Sequence, residues 1–343
     1  MQKSNEIEAA SSALANQLSA GIPLREAVLR MPKLQPKYSQ MWSDAAEAIS
    51  RGGRLSDQLT DIWPESIVAA LKAGEESGKI EEVLKRTTKS MEVSQQVKKI
   101  YSKLLSPAIA FLAGVGVFLF FMIGVIPSLQ QNLGGGDKNL TFKVAMILHH
   151  VFTNYWYFVA AGTAGTIFVV MQWFSKQENK DKLVELANRI PVLGPALRNI
   201  YFGMWAYQIA LLDSGGIPTK QQLQLSIKTL PACYRAGVER MAEEVEKRGI
   251  ADSADPDKQH ELDPRKEWPF YIAVAFITSH ETGRTDQEMQ RCAPILIDEG
   301  VKLLTKAIAA ADIVAKLLAA QMIAIPLLAY FQQMASSLSK AFS

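Results

Sequence analysis

Two short patterns occur twice in this chain, in the same order each time. Ala-Gly-Ile-Pro at 20–23 returns as Gly-Gly-Ile-Pro at 215–218, and Trp-Pro followed by a glycine at 63–78 returns at 268–283. In both copies that glycine stands 14 residues after the proline. Self-similarity of this kind indicates an internal repeat, so the chain is predicted to contain a duplicated unit of roughly 100 residues.

The first pattern has the residues of a tight turn between two helices. Gly21 stands where a helix end favours a residue with positive φ, and Gly216 holds the same place in the copy. Pro23 and Pro218 stand near the first turn of the next helix, where the missing N–H costs nothing. Apolar residues recur at helical spacing beside both turns; they are Leu14, Leu18, Leu24, Val28 and Leu29 in the first copy and Trp205, Ile209 and Leu212 in the second. Each copy is therefore predicted to be a helical bundle.

The second pattern predicts another pair of helices. Pro64 begins a helix that Gly74 ends, and Ser77 caps the next helix, whose inward residues are Ile80, Val83, Leu84 and Met91. In the copy, Pro269 begins a helix and Thr282 caps its successor. Gly78 and Gly283 complete the two turns.

The copies differ in length between the two patterns. The second copy is ten residues longer, since 67 residues separate Gly216 from Gly283 and 57 separate Gly21 from Gly78. Most of the excess lies in 251–266, which is rich in Asp, Glu, Lys and Pro. This composition predicts a mobile loop.

Three apolar runs predict membrane spans at 104–127, 154–174 and 309–331. Residues 107–127 contain no charge, and as a helix this stretch would be about 31 Å long, enough for the hydrocarbon core. Aromatic residues flank the second run at both ends, as interfaces favour. The third run reaches full length only by including Lys316, which can pair with Asp312 one turn away.

Basic residues predict the orientation of these spans. They cluster before the first span and after the second, at Lys85, Arg86, Lys89, Lys98, Lys99 and Lys103 and at Lys176, Lys180, Lys182, Arg189 and Arg198. The positive-inside rule then makes the bundles at 1–103 and 175–308 cytoplasmic. The loop 128–153 and the tail 332–343 are predicted to lie on the other, periplasmic side.

Composition and motifs argue against several classes of function. The net charge of +3 comes with no basic stripe, so no nucleic-acid partner is predicted. The two cysteines show no paired spacing, which favours a reducing compartment. No GxxxxGK[ST] pattern occurs, and no cluster of metal ligands or catalytic residues is evident. We therefore predict no enzyme activity, no cofactor and no metal.

One motif of the first copy is specific enough to compare with known families. It is the stretch Ala-Gly-Glu-Glu-Ser-Gly-Lys-Ile at 73–80, followed by Val83 and Leu84. Together with the order of bundles and spans, it resembles the type II secretion F and type IV pilus platform family of the bacterial inner membrane. The second copy departs from the motif at Ser279 and His280. The short segment before the first bundle is similar to the type IVb pilus and conjugative-plasmid branch.

The resemblance implies a fold and a set of partners. The expected fold is all-α, a polytopic membrane protein with two duplicated cytoplasmic helical bundles and three transmembrane helices, the N-terminus cytoplasmic and the C-terminus periplasmic. The expected partners are a hexameric cytoplasmic assembly ATPase, pilin or pseudopilin subunits, other inner-membrane assembly proteins, the lipid bilayer and further copies of the chain. The alternatives are a small membrane permease or sensor with helical cytoplasmic domains, and a structural membrane anchor for another complex.

The candidate site residues are those of the repeated turns. They are Gly21, Pro23, Gly74, Glu75, Glu76, Ser77, Gly78, Gly216, Pro218, Glu281, Thr282 and Gly283. The glycines, prolines and hydroxyl residues are interpreted as turn and cap chemistry. Two interpretations of the three glutamates stay open: they contact a partner or a cation, or they complement the dipole of a nearby helix N-terminus.

Overall fold

The computed structural model describes residues 2–103, 105–125 and 177–341, with scattered positions between 147 and 172. Within these residues the chain is helical and contains no strand, which confirms the all-α prediction. The predicted second span at 154–174 and most of the loop at 128–153 lie outside the described residues.

The helices of the described residues, in chain order, are α1 Gln2–Ser19, α2 Leu24–Leu34, α3 Ser39–Ser50, α4 Leu55–Leu59, α5 Glu65–Ser77, α6 Ile80–Ser102 and α7 Leu105–Phe120, then α8 Gln177–Asn188, α9 Leu193–Ser214, α10 Thr219–Ser226, α11 Ala232–Ala254, α12 Phe270–Thr282 and α13 Thr285–Ala341. Short 3-10 turns lie at Pro36–Tyr38, Ile227–Thr229, Pro256–Lys258 and Pro264–Glu267, and a π-helical turn follows α7 at Phe121–Val125.

Two compact units divide the chain. Unit one combines Met1–Ile100 with Asp181–Leu304, and unit two combines Tyr101–Lys180 with Thr305–Ser343. Both predicted bundles thus fall in one unit, and we call their parts the N-terminal segment (1–100) and the C-terminal segment (181–304). The finer segment boundaries derived from the sequence stay predictions.

The core of unit one contains residues of both segments. Trp42, Leu71 and Leu84 of the N-terminal segment share one buried cluster with Leu211 and Leu212 of the C-terminal segment. All five are completely shielded from solvent. Because burial of each large apolar side chain is worth about 1.5–3 kcal/mol, this shared cluster stabilises the association of the two segments as well as each segment itself.

A second cluster lies within the C-terminal segment and is aromatic. Trp205 of α9 lies 5.8 Å from Phe202, 5.7 Å from Trp268 and 5.7 Å from Phe276, measured between ring centroids. These separations suit edge-to-face and tilted packing of aromatic rings. The indole N–H of Trp205 donates to Ser226 Oγ at 2.8 Å, so its one polar atom is satisfied.

The first repeated turn has the same geometry in both copies. Gly21 and Gly216 have φ of +79° and +86°, and α2 and α10 begin directly after Pro23 and Pro218. In each copy, the amide of the isoleucine after the glycine donates to the carbonyl five residues earlier, at 3.0 and 3.3 Å. This is the bond that closes a helix end of the Schellman type, and it confirms the predicted helix hairpin.

The second repeated turn also has the same geometry in both copies, but the helix before it ends at a different residue from the one predicted. Pro64 directly precedes α5 and Pro269 directly precedes α12, as predicted, and both helices have 13 residues. They end at Gly78 and Gly283, whose φ values are +72° and +67°. The prediction that Gly74 ends α5 is wrong. Gly74 lies inside the helix, where a Cβ would come within 2.8 Å of Val83 Cγ2. The absence of a side chain at Gly74 therefore lets α6 pack closely against α5.

The predicted caps at Ser77 and Thr282 are also wrong. Ser77 Oγ donates to the carbonyl of Ala73 at 2.8 Å, and Thr282 Oγ1 donates to the carbonyl of Thr278 at 3.0 Å. Both hydroxyls therefore bond back into the helix that they end. A hydroxyl in the last turn has an unpaired carbonyl within reach, and this local bond replaces the cap.

The segment predicted as a mobile loop is ordered around a buried guanidinium. Arg265 is 1% exposed and binds Asp263 through Nε at 2.9 Å and Glu244 of α11 through Nη1 at 2.9 Å. It also donates to the carbonyl of Ser253 at 2.8 Å. The polar composition of 251–266 thus supplies a buried ionic core, so the prediction of a mobile loop is wrong.

Unit two contains the apolar helices. In the described residues, Ile80–Gly124 and Thr285–Ala324 are long and apolar enough to cross a membrane, and they overlap the first and third predicted spans. A Cβ on Gly114 of α7 would come within 2.8 Å of Ala319 Cα of α13, so small residues bring these helices together. The predicted pair of Lys316 with Asp312 is confirmed at 2.6 Å.

Candidate functional site

Glu75 of the first motif holds the start of a neighbouring helix. Its carboxylate accepts from the amide of Leu55 at 2.7 Å and from the amide and hydroxyl of Ser56 at 3.2 and 2.6 Å. Leu55 and Ser56 begin α4, where amides have no partner within the helix. A carboxylate at this end also complements the helix dipole. Glu75 therefore has the structural role, although the helix that it serves is α4 and not the next one.

The other motif glutamates lie at the surface. Glu76 pairs with Arg54 at 2.6 Å, with about half of its side chain exposed. Glu281 is exposed, and His280, which replaces Glu75 in the second copy, is exposed as well. The copies thus differ at the position of Glu75, which hydrogen-bonds to α4 in the first copy and is His280 in the second. They agree at the next position, where both have an exposed glutamate.

Arg86 links the N-terminal and C-terminal segments. Its side chain is 11% exposed and donates to Glu82 Oε1 at 2.7 Å within α6. Across the segment boundary it binds the carboxylate of Asp286 and the side-chain oxygen of Gln290, the latter at 2.9 Å. Asp286 lies three residues after Gly283, so the second motif leads directly into this contact.

Hydrogen bonds of Asp213 connect three helices of the C-terminal segment, α9, α10 and α13. Its Oδ2 accepts from the amide of Asp286 at 2.9 Å, near the start of α13, and its Oδ1 accepts from Gln222 Nε2 of α10 at 2.7 Å. Burial raises the pKa of the Asp213 carboxyl above its ordinary value. Asp213 was not among the predicted site residues, although an acid at the end of the apolar stripe of α9 is a visible signal in the sequence.

The turn of the second copy packs against α5 of the first. A Cβ on Gly215 would lie 2.9 Å from the carbonyl oxygen of Ala70, so glycine permits this approach. In the 3-10 turn that follows α10, Lys228 Nζ binds Glu65 Oε2 at 2.7 Å. The structure therefore brings the Gly216 turn to the N-terminal segment, where the sequence had indicated only a turn within one bundle.

A cavity of about 380 Å³ lies in the C-terminal segment beside 251–266. Its wall includes the buried Phe202, Tyr234 and Trp268, with Arg198 and Lys266 also lining it. Cys233 lines the same cavity, and burial raises the pKa of its thiol to about 11, so the thiol stays protonated at neutral pH.

Few groups of the described residues suit catalysis or metal binding. Burial raises the pKa of the Cys292 thiol to about 12. Among the described residues no three or more His, Cys, Asp or Glu side chains are grouped so as to hold a metal ion. What the arrangement can do is join helices: carboxylates hold helix starts, and ion pairs and glycines connect the two segments.

Comparison with known proteins bears on this arrangement. Residues 10–127 match the family model described as type II secretion system protein F. The chain is 26% identical over 226 residues to the type IV pilus assembly protein TapC of Aeromonas hydrophila, covering 63% of this chain and 54% of TapC. It is 24% identical over 316 residues to PilC of Thermus thermophilus, covering 87% and 75%. It is 22% identical over 304 residues to type II secretion system protein F of Aeromonas hydrophila, covering 84% and 75%.

The match to TapC and the match to PilC of Myxococcus xanthus each span about half, 54%, of those relatives. The matched family region contains the first turn, the Gly74–Gly78 motif and the first apolar helix. The family match thus includes the residues that form both turns of the first copy and the first apolar helix. Residues 10–127 resemble type II secretion system protein F, and longer parts of the chain are similar to type IV pilus assembly proteins and to type II secretion system protein F.

Proposed function

We propose that this protein is an inner-membrane platform of a type IV pilus or type II secretion machine. Its family match and its apolar helices support this role. In this proposal, the cytoplasmic bundles contact a hexameric assembly ATPase, and the membrane spans help to lift pilin or pseudopilin subunits out of the bilayer. Other inner-membrane assembly proteins and further copies of the chain complete the assembly.

One observation supports a coupling role above the others. The two polar segments share a core and are joined by Arg86 and Asp286, so they are built to act as one body. Helix α13 supplies residues to unit one and unit two, from Thr285 to Ala341.

We further propose the topology and duplication indicated by the sequence. The bundles at 1–103 and 175–308 are cytoplasmic, and 128–153 and 332–343 are periplasmic. The spans are 104–127, 154–174 and 309–331. Basic residues beside the first two spans support this orientation, and the matching glycine dihedral angles of the two copies support the duplication.

Deletion of the gene tests the proposed function. We expect loss of surface pili or of secreted substrate, while mature pilin or pseudopilin still accumulates in the inner membrane. Expression of the full chain from a plasmid should restore assembly. Normal piliation and secretion in the deletion strain would show that the protein is not a platform.

Direct binding tests the coupling to an ATPase. The full chain, purified in detergent, should retain the assembly ATPase encoded in the same gene cluster on an affinity column. Uptake of solutes by vesicles containing the chain alone would favour a permease instead and would contradict the proposal.

A further inference from the structure

Helices α2 and α10 hold equivalent places after the first repeated turn. Ala27, Val28 and Met31 bury the inner side of α2 in the core, and the two helices differ in what their other residues contact. Leu225 of α10 packs against the buried cluster that residues of both segments form. Lys228, in the 3-10 turn directly after α10, binds Glu65 of α5 at 2.7 Å. Helix α10 and this turn therefore use one apolar residue and one cation in contacts that include α5, whose first residue is an acid.

Helix α2 presents the same elements outward. We call Arg25, Leu29, Arg30, Lys33 and Leu34 the α2 outer face. All five are exposed, and Leu29 and Leu34 are 47% and 58% exposed. Leu29 is one of the apolar residues that recur at helical spacing in the sequence, and the structure places it at the surface. Counted from Pro23 and Pro218, Arg30 holds the place of Leu225, and Lys33 that of Lys228.

The cations of the α2 outer face have no acidic partner. Arg25, Arg30 and Lys33 form no ion pair with any described residue, whereas Lys220 of α10 pairs with Glu246 and Lys228 of the following turn pairs with Glu65. Glu26 is the sole acid in α2, so the three cations of this face leave the helix with an excess of two positive charges. A group of unpaired cations around two exposed leucines is the complement of an acidic amphipathic helix.

A second copy of this chain does not offer that complement through its repeat. Phe270 stands at the start of α12 where Glu65 stands at the start of α5, each directly after the proline. The acid that receives Lys228 within the chain thus has no counterpart on α12. The charge of the α2 outer face points to a different protein.

We propose that the α2 outer face is a docking site for an acidic amphipathic helix of a partner protein. Leu29 and Leu34 contact the apolar stripe of that helix, and Arg25, Arg30 and Lys33 pair with its carboxylates. Identification of this partner with the assembly ATPase rests on the proposed function, whereas the acidic and amphipathic character follows from α2 itself.

Photocrosslinking in cells tests the docking site. The photoreactive residue p-benzoylphenylalanine replaces Leu29 or Leu34 in the full chain, and Leu262, which is 85% exposed, serves as the control position. We expect a protein adduct at both α2 positions and not at 262. Mass spectrometry should place the adduct in a partner peptide with helical apolar spacing and an excess of Asp and Glu.

Charge reversal tests the role of the cations. In the Leu34 background, Arg25→Glu, Arg30→Glu and Lys33→Glu together should lower the adduct yield about tenfold, because three ion pairs of modest strength are lost. A matched variant, Lys72→Glu, Lys247→Glu and Lys266→Glu, makes the same charge change at exposed positions and should leave the yield unchanged. Equal thermal midpoints of the purified variants exclude misfolding.

The remaining outcomes overturn the inference. They are an adduct no stronger than that at 262, an adduct with lipid or with a second copy, and a yield unaffected by charge reversal at α2. An acidic partner other than an ATPase would support the docking site and would leave the ATPase contact of the proposed function to another surface.

Discussion

Gly215 brings its backbone against Ala70, and through this contact the end of α9 reaches α5. A Cβ on Gly215 would lie 2.9 Å from the Ala70 carbonyl oxygen and 3.4 Å from Ala73 Cβ. The φ of Gly215 is −72°, so the backbone accepts any residue there, and the contact alone demands glycine. The first copy has Ala20 at the equivalent position, and Ala20 is exposed.

Gly215→Ala should therefore loosen the association of the two segments. The added methyl group must displace backbone, and overpacking of this kind costs about 1–3 kcal/mol. We expect a lower thermal midpoint of the full chain in detergent and faster proteolysis between the segments. Ala20→Gly is the control, with a change of at most about 1 kcal/mol. An unchanged midpoint for Gly215→Ala would show that the contact adds no stability.

The turns could be predicted from the sequence because their chemistry is local. A glycine in the left-handed region followed closely by proline leaves the backbone few alternatives, and Gly21 and Gly216 both adopt the expected φ. The position of Gly74 could not be predicted in this way. It resembles a helix end, but its size serves the packing of Val83 from the next helix.

The partners of polar residues could not be predicted because they are distant in the chain. Glu75 binds α4 from 20 residues away, and Arg86 binds Asp286 from 200 residues away. Nothing in the local sequence identifies such partners. Composition also misled in 251–266, where acids and prolines suggested disorder but a single buried arginine organises them.

Glu75→Ala should destabilise unit one by removing the acceptor at the start of α4. The amides of Leu55 and Ser56 would lose their partner, which costs about 1–3 kcal/mol for buried donors. Glu75→Gln should cost less because one acceptor oxygen remains. The measurement is denaturant unfolding of the full chain.

Glu76→Ala is the matched control, because its exposed pair with Arg54 contributes about 0–1 kcal/mol. If Glu75→Ala left stability unchanged and abolished binding of a partner or cation, the structural interpretation of Glu75 would be wrong.

Gly78→Val should strain the end of α5. Gly78 has φ of +72° and no atom within 4 Å of an added Cβ, so the cost comes from the backbone alone. A left-handed conformation costs a residue with a Cβ about 1–2 kcal/mol, and branching at Cβ raises this. Gly78→Asn should be milder, because asparagine tolerates this region. The thermal midpoint of the full chain should be highest for the wild type, lower for Gly78→Asn and lowest for Gly78→Val. Equal midpoints would show that Gly78 does not need the left-handed conformation.

Asp263 should make stability depend on pH in the acidic range. Hydrogen bonds from Arg265 hold the pKa of the Asp263 carboxyl below its ordinary value. Because the folded pKa lies below the unfolded value of about 3.9, the stabilisation is fully present above that value. It is lost as the pH falls from there through the folded pKa. Trp268 lies in the same segment, so its fluorescence can report the unfolding between pH 7 and pH 3.

Asp263→Asn should lower the free energy of unfolding at pH 7 by about 2–3 kcal/mol, because Arg265 loses one of its two charged partners. The variant should also lose less stability than wild type on acidification, because the group with the lowered pKa is gone. Asp252→Asn removes the same charge from an exposed pair with Lys258 and should change both quantities little. A variant at Asp263 with wild-type stability at pH 7 and an unaltered acid profile would show that the buried pair does not hold this segment.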